Sequence, residues 1–383
     1  MKKRTVGILW ALSCLLVAIL TSAFTFALCA KGNKLVELER LIQEKFIGEE
    51  DKAAMEDAAA AAMIQALPDQ WSYYVPKDAV TSHQESKKNA YVGIGLTITA
   101  EGETEGLRVT RVEVGGPAYQ AGILPGDILT EADGQALAPL GPQGARDLIR
   151  GPEGKQVKLT VLRQEQRLEF ALTLKTVQVA VAEGRMLEDG IGYIVITNFN
   201  TGCSEQTISC VETLLEEGAE SLIFDVRGNP GGYKDELVKV LDYLLPEGNI
   251  FTSEYTDGTV KVDTSDATCL EIPMAVLMDG DSYSAAEFFA AALSEYDWAV
   301  TVGQSTAGKG YFQVGYALSD GSEAVLSVGK YYTPKGVSLA EVNGLTPDVP
   351  VEVDEDTAAL IHSRLLPPEE DAQLQAAVAK LKQ

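Results

Sequence analysis

Residues 273–293 read PMAVLMDGDSYSAAEFFAAAL. The apolar run from Pro273 to Met278 is short and ends in turn residues, which fits a buried strand better than a helix. Asp279-Gly280-Asp281 breaks the run, and Phe288 to Leu293 has helical composition, so Ser284 falls at a helix start. A serine there with a glutamate three residues on, Glu287, has the spacing of a capping box. The same placement serves a nucleophile, because the N–H of Ala285 and the helix N-terminus would stabilise an oxyanion. This stretch alone leaves both readings open.

Strand and helix signals alternate on either side of it. Ile191 to Ile196 and Ser221 to Val226 read as strands, with a helix from about Glu205 to Glu217 between them, which predicts a mixed α/β domain. Two further glycine-containing islands follow predicted strands, where sites are commonly built. Asp225-Val226-Arg227-Gly228-Asn229-Pro230-Gly231-Gly232 carries paired glycines that let backbone N–H groups turn into a cavity. Gly303-Gln304-Ser305-Thr306-Ala307-Gly308-Lys309-Gly310 sets a lysine between two glycines. It lacks the first glycine and the Ser/Thr after the lysine that a phosphate loop needs.

Composition narrows the chemistry. The 383 residues carry a net charge of −25, which would repel nucleic-acid phosphates, and no sustained basic patch offsets it. There are only two histidines: His83 lies in a polar run and His362 near the tail. A histidine triad or zinc site is not expected, each histidine reads as a solvated structural residue, and no cofactor or metal is implied. Of five cysteines, Cys14 and Cys29 sit in an apolar segment, and Cys203, Cys210 and Cys269 are too odd a set for a disulfide framework. Without a usable histidine, the islands supply a serine nucleophile, a lysine base and backbone donors, the set that Ser–Lys acyl transfer needs. Lys309 could act only if desolvation lowered its pKa, since an exposed amine near 10.4 is protonated at neutral pH.

The chain opens with Lys2, Lys3 and Arg4, then an uncharged stretch from Val6 to Ala30 that exceeds the roughly 20 residues needed to cross a bilayer as a helix. The basic flank places the remainder outside the cytoplasm, as a single-pass membrane protein or, if the segment is cleaved as a signal peptide, a secreted one. Leu35, Leu38, Leu41 and Ile42, then the alanine-rich Ala53 to Leu67, predict two helices. So small a pair buries little surface alone, and homodimerisation through it is the expectation.

From Tyr91 onward the pattern becomes short alternating runs: Ile94-Leu96-Ile98, Leu107-Val109, Val112-Val114, Val157-Leu159-Val161 and Leu168-Phe170-Leu172-Leu174. These read as strands with one buried face, interrupted by short helices at Gly115–Gly122 and Gly144–Arg150. The order resembles a PDZ domain. Tyr91-Val92-Gly93-Ile94-Gly95 stands where that family's carboxylate-binding loop begins, with Gly116-Pro117-Ala118 and Gly126-Asp127-Ile128-Leu129 following. The resemblance implies a loop and strand edge that take a protein C-terminus.

With the islands in this order, residues from about Lys34 to Val351 resemble the carboxy-terminal processing protease family. The resemblance implies a nucleophile at Ser284, a general-base lysine 25 residues on at Lys309, and a lysine-orienting glutamine at Gln313. It places Gly231 or Gly232 beside Ala285 in the oxyanion hole. Ala286, Glu295 and Ala307 depart from residues common in the family. Arg150, in Ile149-Arg150-Gly151, is the candidate link between PDZ occupancy and the active site, set against an ordinary surface arginine.

The expected organisation is α/β (α+β) and multidomain. It comprises a signal anchor over 1–30, a helical region over 31–88, a PDZ domain over 89–178, a crotonase-like α/β Ser–Lys protease core over 179–360 and a helical tail over 361–383. The expected activity is endopeptidase cleavage of unfolded or flexible protein C-termini. A catalytically silent PDZ scaffold is the rival. A crotonase-like acyl-CoA enzyme is a third reading, which the N-terminal segment opposes.

Overall fold

The computed structural model describes residues 10, 13, 15–17, 19, 21, 33–100 and 106–383. Most of the apolar segment 6–30, and with it the expected spanning helix, lies outside the described residues. Among the described residues no helix is long and apolar enough to cross a membrane. Residues up to Ala66 and residues from Leu67 form two compact units.

In the first unit, Asn33 opens α1 (Lys34–Lys45) by accepting the Leu35 N–H at 3.0 Å, and Asp51 opens α2 (Lys52–Gln65) by accepting from Ala54 at 3.0 Å. Each side chain satisfies a donor that the helix itself leaves unpaired. Leu35, Leu38 and Leu41 of α1 are exposed.

The second unit starts with β1 (Tyr73–Val75) and α3 (Lys77–Lys88). A β-rich domain follows: β2 (Ala90–Gly93), β3 (Leu96–Ala100), β4 (Leu107–Val112), α4 (Pro117–Ala121), β5 (Ile128–Ala132), β6 (Gln135–Ala136), α5 (Gly141–Ile149), β7 (Gln156–Arg163), β8 (Gln166–Thr173) and β9 (Lys175–Gln178). Its sheet runs β3-β4-β5-β7-β8, with β6 beside β5, and β2 pairs separately with β9. The alternation read from sequence becomes a core: Val157, Leu159 and Val161 of β7 pack with Leu107, Val109 and Leu129, closed by Ala118 and Ile123 near α4 and by Ala145 and Ile149 of α5. The strand expected through Val114 stops at Val112, because the Gly116 N–H turns back to the Glu113 carbonyl at 3.0 Å.

Beyond it lie β10 (Ala182–Met186), β11 (Ile191–Ile196), α6 (Cys203–Glu216), β12 (Ser221–Asp225), α7 (Lys234–Leu244), β13 (Gly248–Tyr255), β14 (Val260–Ser265) and β15 (Met274–Met278). They are followed by α8 (Ala285–Glu295), β16 (Ala299–Gly303), β17 (Tyr311–Ala317), β18 (Glu323–Tyr332), β19 (Val349–Pro350), α9 (Glu355–His362) and α10 (Ala372–Leu381). The main sheet is ordered β10-β11-β12-β15-β16-β19, and all its pairings but β10–β11 are parallel. Successive strand residues face opposite ways. Leu222, Phe224, Val276 and Met278 therefore pack on the side of α6, α7 and α8, while Ile223, Ala275 and Leu277 pack on Leu374 and Ala377 of α10. The C-terminal helix is thus a layer of this sheet. A second sheet, β1-β18-β13-β14 with β17 on β18, lies in the same unit.

Parallel pairing has a functional consequence. β12, β15 and β16 end on one edge of the sheet, so the loops that follow them meet there, where sites of open α/β sheets form. Cys203 and Cys210 both lie on α6, and these two and Cys269 are free thiols.

Candidate active site

β15 is buried along its whole length and delivers the chain to that edge. Ser284 follows at φ +59°, ψ −123°, a conformation costly for a residue with a Cβ, and serves as the N-cap of α8. Its N–H donates to Glu287 Oε1 at 2.9 Å. The capping and nucleophile readings are therefore compatible, since the backbone cap also holds the serine at the helix N-terminus. The Ala285 N–H has no acceptor among the described residues.

The loop after β12 lies against this turn, and the Tyr283 N–H donates to the Asn229 carbonyl at 3.2 Å. Both glycines are required. Gly231 has φ +83°, and a Cβ there would stand 2.7 Å from Ser284 Cβ; one at Gly232 would stand 2.2 Å from the Phe199 carbonyl carbon. Their N–H groups differ: that of Gly231 is taken by Asn229 Oδ1 at 2.8 Å, while that of Gly232 has no acceptor among the described residues.

The loop after β16 is joined to the serine turn by the fully buried Glu287. Glu287 Oε1 accepts the Lys309 N–H at 2.7 Å, and Oε2 accepts from Gly308 N at 2.9 Å and Thr306 Oγ1 at 2.8 Å. The Lys309 side chain is buried, with Nζ 4.8 Å from the Trp71 ring centre and 5.9 Å from that of Tyr283. Its amine has no hydrogen-bond acceptor among the described residues. Burial depresses its pKa, the Lys87 charge depresses it further, and Glu287 and Asp69 only partly offset them, leaving it at about 8. About a tenth of such an amine is neutral at pH 7.

Ser284, Lys309, Gln313, Gly231, Gly232 and Trp71 line one cleft of about 1100 Å³. Among the described residues no hydrogen bond links Ser284 to Lys309. Gln313 sits at a register shift between β17 and β18, which turns its amide to donate to Ser327 Oγ at 2.9 Å and the Tyr311 carbonyl at 3.1 Å rather than to meet the lysine amine.

In the β-rich domain, the Ile94 and Gly95 carbonyls accept from Ala118 and Glu113, while the N–H groups of Ile94 and Gly95 have no acceptor among the described residues. Tyr91, Val92 and Gly93 lie in β2, and β3 is the sheet's outer strand. Arg150 caps α5, and its carbonyl accepts from Lys155 Nζ at 2.8 Å. An ion pair between this domain and the main sheet runs elsewhere, from Arg111 to Glu183 at 2.8 Å, and Glu183 also holds Arg364 of the C-terminal segment at 2.6 Å.

Sequence reading placed neither Trp71 nor Lys87 in the site. Each arrives from a segment N-terminal to the β-rich domain, and no spacing rule connects it to Lys309. Glu287 was visible through its capping-box spacing, but its bonds to the lysine loop were not. Glu295, which departs from the family pattern, accepts from Thr333 Oγ1 and Lys335 N, each at 2.7 Å, and so fastens the turn after β18. His362 is not merely solvated: its Nε2 lies 2.6 Å from Asp279 Oδ2.

Residues 190–351 match peptidase family S41, and residues 108–163 match a PDZ domain, a span that leaves out the 91–95 loop. The carboxy-terminal processing protease CtpA of Bacillus subtilis is 30% identical over 327 residues, covering 85% of this chain and 70% of that protein. The chloroplastic carboxyl-terminal-processing peptidase 2 of Arabidopsis thaliana is 31% identical over 308 residues, covering 76% of this chain and 60% of that one, so the chain spans less than two thirds of its length. Among solved structures, a photosystem II D1 C-terminal processing protease is 24% identical with a TM-score of 0.47, covering 88% of this chain and 93% of that one.

Proposed function

The chain belongs to peptidase family S41, as a serine-type carboxy-terminal processing peptidase with a PDZ domain, and from that premise we propose that Ser284 and Lys309 form its catalytic dyad. One observation carries this reading: a buried amine with a pKa of about 8, with no carboxylate hydrogen-bonded to it among the described residues, shares a cleft with a serine at a helix N-terminus. Neutral Lys309 accepts the Ser284 proton as Oγ attacks the scissile carbonyl. The N–H groups of Ala285 and Gly232 receive the oxyanion, the lysine returns the proton to the leaving amine, and water then releases the acyl group. Both side chains line the same cleft, and a rotamer change of Lys309 within it is the motion that brings the amine to the hydroxyl. Gln313 lines the same cleft.

The substrate is a flexible protein C-terminus. Free N–H groups at Ile94 and Gly95 suit a terminal carboxylate, and the outer edge of β3 suits the strand behind it. The apolar segment 6–30 holds the body outside the cytoplasm, and the exposed leucines of α1 suit pairing with a second copy.

The test is cleavage of an unstructured peptide with an apolar C-terminus. Ser284→Ala and Lys309→Ala should each reduce kcat/KM by at least about 10⁴-fold, with binding to the PDZ domain intact. Binding without turnover by the unaltered chain would instead identify a silent scaffold.

A further inference from the structure

The two N–H groups assigned to the oxyanion hole come from different loops, Gly232 from the one after β12 and Ala285 from the one after β15. Their spacing is therefore set by whatever ties the loops together, and misplacement by about 1 Å can cost about 100-fold in rate. Besides the Tyr283 N–H bond to the Asn229 carbonyl at 3.2 Å, Asp279, directly after β15, ties them. Its Oδ1 accepts the Gly228 N–H of the first loop at 3.0 Å and the Asp281 N–H of its own turn at 3.0 Å. Beside it the fully buried Ser282 accepts the Asp279 N–H at 3.0 Å and donates to the Val226 carbonyl at 2.7 Å.

The other carboxylate oxygen faces the C-terminal segment. His362, at the end of α9, places Nε2 2.6 Å from Asp279 Oδ2, and its Nδ1 lies 4.0 Å from Asp281. The ring also covers Gly228 so closely that a Cβ there would stand 3.0 Å from His362 Cδ2. One residue earlier, the buried Arg227 is gripped by Asp225 at 2.6 Å and by Asp371 and Gln373 at 2.8 and 2.9 Å. His362 lines a separate cavity of about 520 Å³ that Ser284 does not reach, so it supports the loops from outside the catalytic cleft.

We propose that Asp279 is a positioning residue for the oxyanion hole and that His362, on the C-terminal segment, fixes its carboxylate so that the Gly228–Gly232 loop and the Ser284 turn keep their spacing. This rests on Ser284 being the nucleophile.

The test uses the full chain with Asp279→Ala, Asp279→Asn, His362→Ala and His362→Gln, followed by peptide kinetics and amide hydrogen exchange. Asp279→Ala should lower kcat by about 10–100-fold with KM within about twofold. Asp279→Asn keeps an acceptor for Gly228 and should lose far less. His362→Ala, altered at a partly exposed site, should lower kcat by about tenfold, and His362→Gln, whose amide can donate to Asp279, should restore most of it. Exchange at residues 228–232 and 282–285 should quicken in His362→Ala and recover in His362→Gln. Unchanged kcat in both alanine variants, a loss confined to KM, a loss that Gln does not restore, or unchanged exchange would overturn the proposal. An inactive unaltered chain would defeat the dyad reading instead, and the exchange measurement would still decide this one.

Discussion

Ser284 sits on a turn tied by backbone hydrogen bonds to Glu287 and Asn229 and by the Ser282 hydroxyl to Val226, whereas the Lys309 amine has no acceptor among the described residues and is placed by the faces of Trp71 and Tyr283. Hydrogen bonds fix where an atom is, so they suit a nucleophile and its oxyanion donors. Burial fixes which protonation state is favoured, so it suits a base. Glu287 joins the two sides, binding the backbone of both loops and reaching the amine only through its charge, and the Ala307 N–H adds a direct bond to the Ser282 carbonyl at 3.3 Å.

That joint is where the contrast should break most visibly. Glu287→Ala leaves the Ser284, Gly308 and Lys309 N–H groups and the Thr306 hydroxyl without their acceptor in a buried site. A loss of about 3 kcal/mol in chemical denaturation, together with most of the activity, is expected.

Trp71→Ala acts chiefly on the lysine side, the ring also packing on Tyr283 with centroids 5.5 Å apart. Admitting water to the amine raises its pKa, so the rising limb of kcat/KM against pH should move upward from about 8 while KM changes little. Each unit of such movement costs about tenfold at pH 7. Lys87→Met removes a repelling charge and should move the limb the same way by less. A downward movement in Trp71→Ala would show that attraction between the amine and the ring outweighs desolvation.

Stability gives a smaller effect of opposite character. The folded pKa of Lys309, about 8, lies below its unfolded value near 10.5, so the unfolded chain binds more protons between those limits. The cost of burying the charged amine is full below pH 8 and fades as pH rises toward 10.5. Lys309→Met should therefore be more stable than the unaltered protein at pH 7, with the difference shrinking above pH 8 in paired denaturation curves.

The smallest expected effect concerns the link to the PDZ domain. Arg150→Ala should leave the response of cleavage to PDZ ligands unchanged, whereas Arg111→Ala, which loses the exposed pair with Glu183, should alter it by no more than a few-fold.

Much of the site is legible in the sequence. The apolar run to Met278, the capping-box spacing of Ser284 and Glu287, and the glycines around Asn229 and Lys309 are local signals, and local backbone geometry obeys local rules. Three kinds of feature are not. Trp71 and Lys87 act on Lys309 across more than 200 residues of chain. The preference for the Gly232 N–H over that of Gly231 depends on where one asparagine side chain turns. His362 looked idle because its partner, Asp279, lies 83 residues away.

The amino-acid sequence by itself determined most of the elements, the mixed α/β character of the core and the residue types at the strand ends, because hydrophobic period, turn chemistry and capping depend on neighbours a few residues apart. Only the tertiary structure decided which N–H groups are free, which amine is dry and which distant side chain braces the serine turn. Those properties depend on solvent exclusion and on hydrogen-bond partners that folding brings together from opposite ends of the chain.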